Sequence, residues 1–256
     1  MGCEGYRALA RVYDRLNADL DYGAWADFIE ACFEQYLAMR PELVLDLACG
    51  TGTMTRMLAA RGYDMIGVDG SADMLSEAYS LGNGEGRILY LCQDMREFEL
   101  YGTVGAVVSC LDSINYLLSE EDLRQTFAGV HNYLDPDGLF LFDVNSPYKF
   151  AEIYGDHAYV LEDETPEGSA IYCGWQNEYD LESGICDFWL SIFEEDGDGR
   201  YSRSDEHQRE RCYTVETLRR LLEETGFKWL GIYGGFDFSA PTDTTERFYL
   251  AARAKK

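Results

Sequence analysis

Leu43-Val44-Leu45-Asp46-Leu47-Ala48-Cys49-Gly50-Thr51-Gly52 decides the fold. Its first half is a short run, apolar except for Asp46, of the kind that forms a strand buried on both faces. The glycine-rich turn that follows leads directly into a helical stretch over Met54–Arg61. Glycines at such a turn let the backbone approach a ligand closely, and the helix N-terminus presents unpaired N–H groups.

Downstream the same alternation repeats. Met65–Asp69 reads as a second strand, and Ser71 caps a second helix with Met74, Leu75 and Ala78 on one face. Ile88–Cys92 and Ala106–Cys110 read as the third and fourth strands. A helix is expected from Ser119 to about Leu134, broken by Pro136-Asp137-Gly138, and a fifth strand over Leu139–Val144. Short apolar strands separated by amphipathic helices predict a parallel sheet covered on both faces. Upstream, residues 5–39 read as one helical segment stopped by Pro41. From about residue 150 the pattern changes. Runs at Ala170–Trp175 and Ile185–Phe193, broken by polar turns at 166–168, 182–184 and 196–199, predict antiparallel hairpins. A helix over Thr214–Thr225, ended by Gly226, and strands at Trp229–Tyr233 and Phe248–Ala252 return to the α/β pattern.

The 256 residues carry 47 Asp+Glu against 21 Lys+Arg, a net charge of -26. Such a chain cannot assemble the Lys/Arg surface that nucleic acid or an anionic membrane requires. No run approaches the roughly 20 apolar residues that span a bilayer. The eight cysteines are scattered without a CxxC pair, and the three histidines lack ligand spacing. Free thiols, no bound metal and a soluble cytoplasmic protein are therefore expected.

Three acids mark the strand ends. Asp46 stands just ahead of the glycine turn, Asp69 lies 19 residues after Gly50, and Asp94 follows the third strand. A dinucleotide fold places a pyrophosphate on a GxGxxG turn, but position 55 here is Thr. Asp46 would also repel a pyrophosphate, whereas an ammonium or sulfonium would welcome it. A nicotinamide-dependent oxidoreductase is disfavoured on both counts. Asp69 suits two ribose hydroxyls, and Asp94 an adenine amino group.

These stretches, DLACGTG, IGVDGSADML, LCQDMREF and VVSCLDSINYL, resemble the class I S-adenosylmethionine-dependent methyltransferases, nearest the aminosugar N,N-dimethyltransferase and glycine N-methyltransferase types. The resemblance implies a Rossmann-like sheet of seven strands, mostly parallel with the last antiparallel, plus a small antiparallel β insert. It also implies three parts: an N-terminal helical lid (1–40), a cofactor-binding α/β domain (41–150 and 214–256), and an insert (151–213) covering the acceptor site. S-adenosyl-L-methionine is the implied cofactor and S-adenosyl-L-homocysteine its product. Ala48, Gly50 and Cys110 would contact the methionine part, with Gly52 completing the turn. Asp69 would hold the ribose, and Met74, Asp94 and Met95 would border the adenine. Tyr13 and Tyr22 would close over the donor.

On the acceptor side the candidates are Asn115 and Tyr116 after strand four, and Asn145 and Tyr148 after strand five. His207 is the candidate proton acceptor or acceptor-orienting group, similar to a histidine of the aminosugar enzymes. The expected reaction is methyl transfer to a small-molecule amine. The alternatives are oxygen methylation of a small molecule and a cofactor-binding module without catalysis. The insert holds 17 acidic residues against 4 basic ones, which suits a cationic acceptor, although charged hairpin faces are usually just solvated.

Overall fold

In a computed structural model of the protein, residues 9–82, 87–164, 170–196 and 198–256 are described, with the side chain of Glu164 left out. The turn expected at Pro166–Gly168, the start of the N-terminal helix and Cys3 lie outside them. In chain order the elements are α1 (Leu9–Leu16), α2 (Tyr22–Tyr36), β1 (Leu43–Leu47), α3 (Thr53–Ala60), β2 (Asp64–Asp69), α4 (Ala72–Ser80), β3 (Ile88–Cys92) and β4 (Val104–Ser109). Then follow α5 (Glu120–Tyr133), β5 (Leu134–Asn145), β6 (Ala158–Glu164), β7 (Ala170–Asp180), β8 (Ile185–Asp196), β9 (Arg200–Arg211), α6 (Val215–Glu224), β10 (Phe227–Tyr233) and β11 (Arg247–Ala254).

Seven strands form one sheet in the order β10-β11-β5-β4-β1-β2-β3. Neighbours from β5 to β3 are parallel, while β11 runs antiparallel to both β5 and β10. Strand parity sorts the core. Leu45, Leu47, Phe140 and Phe142 meet α5 and α6 through Phe127, Leu218 and Leu222. Val44, Val108 and Leu141 face the other way, against Trp25, Phe28 and Ile29 of α2 and Leu58 of α3. β6-β7-β8-β9 form a separate antiparallel meander.

The N-terminal segment is two helices rather than one. Asp21 ends the intervening turn by accepting from the Ala24 N–H, which caps α2 afresh. β5 starts at Leu134, ahead of Pro136-Asp137-Gly138. Asp137 takes a left-handed φ of 61°, and the β4–β5 register shifts between Val104 and Ala106. The Pro-Asp-Gly sequence therefore makes a bulge at the strand's entry. β6 and β9 were not anticipated, since RYSRSDEHQRER of β9 offers almost no apolar residue from which alternation could be read.

Candidate active site

The carboxyl ends of β1, β2 and β4 lie side by side, the edge where ligands sit in such sheets. Two cavities open there. One, of about 560 Å³, runs between the glycine turn, the start of α4 and the segment after β3. Ala48, Gly50, Asp69, Met74, Asp94 and Met95 line it, and Tyr13 and Tyr116 close it. The second, of about 40 Å³, adjoins it under Tyr13 and Tyr22, with Asp46, Thr51, Thr53 and Cys110 in its wall. Tyr13, Ala48, Gly50, Leu111 and Ser113 line both. The larger volume falls in the range of small-molecule sites, roughly 300–1,000 Å³.

The glycine turn is shaped by left-handed backbone at Ala48, Gly50 and Gly52, with φ of 62°, 55° and 75°. A Cβ added to Gly50 would meet nothing within 4 Å, so that face of the loop stands open for a ligand. At Gly52 a Cβ would lie 2.3 Å from the Tyr90 hydroxyl, so glycine is required by packing as well as by φ. Gly52 lines neither cavity; it is the N-cap of α3.

Asp69 holds the turn. Its Oδ2 accepts from the Gly50 N–H at 2.8 Å and its Oδ1 from the Ser71 N–H at 2.7 Å. Each carboxylate oxygen has two lone pairs, so one on each remains for a ligand hydroxyl. Burial pushes the Asp69 carboxyl upward, against those two backbone bonds. Asp46 is 1% exposed and takes a hydrogen bond from the Thr55 hydroxyl at 2.5 Å. Burial raises its pKa to about 7, helped by the charge of Asp69 and opposed by Thr55. Asp94 is engaged by Arg96, whose Nε lies 2.9 Å from Oδ1, and the guanidinium holds this carboxyl below its usual range. Nucleoside hydroxyls at Asp69, an apolar ring between Met74 and Met95, and a cation beside Asp46 would all be satisfied here.

Behind Leu111 and Ser113 lies a buried charged cluster. Leu111 and Asp112 both have left-handed φ, 59° and 53°, a strain that clusters at functional sites. Asp112 pairs with Arg247 Nη1 at 3.0 Å and with Asn145 Nδ2 at 2.6 Å. Arg247 also bonds Asp143, and Asn145 Nδ2 reaches Glu210 Oε2 at 3.0 Å. Burial, and then the charge of Asp112, pushes the Glu210 carboxyl far above its usual range. Burial lowers the Lys149 ammonium.

The expected acceptor residues fare unevenly. Tyr116 lines the large cavity. Asn115 is fully buried and structural: its Nδ2 donates to the Arg211 carbonyl and its Oδ1 accepts from the Asn145 N–H. Asn145 belongs to the buried cluster, and Tyr148 is half-buried outside both cavities. His207 is displaced from the expected role by strand parity. Glu206, Gln208 and Glu210 of β9 turn inward, so His207 points to the outer face. There it stacks on Trp189 at 3.8 Å and bonds Asp187, lining neither cavity. Asp14, Asp112, Glu210 and Arg247 went unread; for Arg247, a lone cation opening the last strand, the sequence carries no local signal.

A methyltransferase-domain family profile matches residues 44–138. YqeM of Bacillus subtilis (strain 168), provisionally named a methyltransferase, is 36% identical over 252 residues, 98% of each chain. The glycine/sarcosine N-methyltransferase of Halorhodospira halochloris is 31% identical over 206 residues, 75% of this chain and 68% of that one. Among solved structures, an S-adenosylmethionine-dependent methyltransferase from Clostridium acetobutylicum ATCC 824 superposes with a TM-score of 0.85 at 31% identity, covering 98% of this chain and 99% of the other.

Proposed function

Because the chain belongs to the class I S-adenosylmethionine-dependent methyltransferases, we propose that its acceptor is a small molecule methylated on an amine nitrogen. The donor fits the residues present: an open glycine cradle at Gly50, free lone pairs on Asp69 and a buried carboxyl at Asp46 match a ribose and a cationic tail. S-Adenosylmethionine supplies, when bound, a methyl carbon activated by its sulfonium leaving group. Asp69 would take the ribose hydroxyls, Met74 and Met95 would flank the adenine, and Asp46 would face the cationic amino-acid end. Tyr13 and Tyr22 would exclude water above the smaller cavity, and alignment with dryness is the main demand of such a displacement.

The observation that carries the nitrogen reading is the chemistry of the walls. Among the described residues lining either cavity there is no histidine or lysine, and Asp46, its pKa raised to about 7, faces the donor's cationic end on this reading. Asp143 and Glu210 stand buried behind Leu111 and Ser113, and Asp112 is paired with Arg247. An amine needs only to lose a proton around its attack, whereas a phenol or alcohol needs a general base within reach. The printed name of the Halorhodospira relative, a glycine/sarcosine N-methyltransferase, supports the same class.

On this reading residues 1–40 act as the lid, 41–150 and 214–256 bind the donor, and 151–213 cover the acceptor side. The setting is cytoplasmic, in keeping with seven described cysteines that are all free thiols. No helix among the described residues is long and apolar enough to cross a membrane. The test is release of S-adenosylhomocysteine with a panel of amines, amino acids and phenols. Turnover with amines alone is expected. Turnover with phenols alone would replace the nitrogen reading by oxygen methylation, and binding without turnover on any acceptor would favour the non-catalytic module.

A further inference from the structure

The described part of helix α1, Leu9–Leu16, is held by its contacts. One flank belongs to the four-stranded sheet and the turn before it. Leu9 and Val12 are buried with Phe150, Ile171 and Phe188. Arg15 Nε donates to Asp163 at 2.8 Å, Arg11 pairs with Glu194 at 2.9 Å, and the Leu9 N–H donates to Glu206 at 2.8 Å. Asp14, one residue beyond Tyr13 and so about 100° further round the helix, faces the glycine turn instead. The Thr51 hydroxyl donates to its Oδ1 at 2.6 Å and the Thr53 hydroxyl to its Oδ2 at 3.3 Å. Thr51 is 2% exposed, and Arg56 fixes the same two residues through the Thr51 carbonyl at 2.6 Å and the Thr53 hydroxyl at 3.1 Å. These bonds cross between two parts of the molecule that otherwise have separate cores.

We propose that Asp14 is a positioning residue: by accepting from Thr51 and Thr53 it latches α1 onto the glycine turn, seats Tyr13 against both cavities, and ties occupancy of the donor site to the four-stranded sheet. Asp14 touches no reacting atom; it acts through Tyr13 and the loop. The proposal rests on the donor lying in the cavity and goes beyond it in assigning the element that senses the donor. A ligand that orders the glycine turn fixes the two hydroxyls, which strengthens the latch, and the latch in turn presses α1 onto the insert. By linkage, the factor by which the bound ligand strengthens the latch is the factor by which the formed latch strengthens ligand binding.

The test uses the full chain with S-adenosylhomocysteine as probe, followed by calorimetry and by amide hydrogen exchange. In the unmodified protein the ligand should slow exchange both in residues 43–60 and in residues 9–16. Asp14→Ala should bind about tenfold more weakly, the scale of a hydrogen bond to a charged group. It should keep the ligand-induced slowing in 43–60 and lose it in 9–16, a split that a general loss of stability would not produce. Asp14→Asn keeps a carbonyl for the Thr51 hydroxyl and should stay within about threefold. Thr51→Val should reproduce Asp14→Ala, and the double variant should be no worse than either alone. Full affinity and full slowing in 9–16 for Asp14→Ala, or additive losses in the double variant, would overturn the latch. Failure of the unmodified protein to bind S-adenosylhomocysteine would instead sink the donor reading, and the latch with it.

Discussion

With the donor placed as proposed, Asp46 makes donor binding depend on pH, and the size of the effect can be worked out. An exposed aspartate titrates near 3.9; at Asp46 burial raises this to about 7, with the Thr55 hydroxyl opposing and the Asp69 charge assisting. Three units correspond to about 4 kcal/mol, the order of the cost of holding this carboxylate charged in the ligand-free fold. The sign for stability follows. Between about pH 4 and 7 the folded chain binds more protons here than the unfolded chain, so this group's contribution falls as pH rises through that window. A cationic ligand reverses the preference, because it favours the carboxylate. At pH 6 only about a tenth of Asp46 is charged and at pH 8 about nine tenths, so S-adenosylmethionine should bind about tenfold more weakly at pH 6. Its own amine titrates near 7.7–8.0, at the upper edge of the window. Calorimetry from pH 5 to 8, in buffers of contrasting ionisation enthalpy, reads both quantities: affinity falling with acidity, and release of close to one proton on binding at pH 6. Asp46→Asn should bind weakly with no acid limb, and its ligand-free form should melt higher than the parent at pH 8. An affinity flat from pH 5.5 to 8 with no proton release would refute the reasoning. A limb that survives Asp46→Asn but vanishes in Asp69→Asn would move the titration to the neighbouring acid.

Three further outcomes follow from the same geometry. Asp69→Ala should weaken S-adenosylmethionine by about 1–3 kcal/mol through lost charge-assisted bonds, and unchanged affinity in a folded variant would remove Asp69 from the site. Gly52→Ala should lower the thermal midpoint by the equivalent of about 2–4 kcal/mol, since a left-handed alanine adds to a Cβ pressed on Tyr90; a parental midpoint would mean that Tyr90 moves aside freely. His207→Ala should leave donor affinity and turnover unaltered, because the ring stacks on Trp189 away from both cavities. A large loss of turnover would bring His207 back as a candidate base.

Much of the donor side was legible because it is local in sequence. The runs carrying Asp46 and Asp69, with Gly50 between, bring the proposed donor groups to one sheet edge by strand order, and Ser71 caps α4 from the expected position, accepting from the Met74 N–H at 3.2 Å. The charged cluster behind Leu111 and Ser113 is non-local. Asp112 follows β4, Asn145 ends β5, Glu210 lies one residue before the end of β9 and Arg247 opens β11; they meet only because β11 pairs with β5 so that Arg247 falls opposite Asn145. No spacing along the chain encodes that register. Asn115 shows the converse limit: a polar residue at the right edge of the sheet whose hydrogen bonds are spent on Arg211 and Asn145.

The acidity of the insert turns on parity in the same way. Seventeen acids in 63 residues look like a field over the acceptor, but a strand sends alternate side chains to opposite faces. On the outer face of β8 and β9, Asp187 meets His207 and Arg209, and Asp205 meets Arg203. Surface pairs of that kind contribute little, about 0–1 kcal/mol, and are screened by salt. Inward-facing Glu206 and Glu210 differ. Glu206 holds the Leu9 N–H of α1, and Glu210 stands buried against Asn145 beside Asp112. Two residues on one strand thus reach α1 and the cluster behind Leu111 and Ser113, and on the proposed reading any selection for a cationic acceptor would rest on such buried placement rather than on the net charge. Raising ionic strength should therefore leave such selection nearly intact, since buried carboxyls are screened far less than the outer ones.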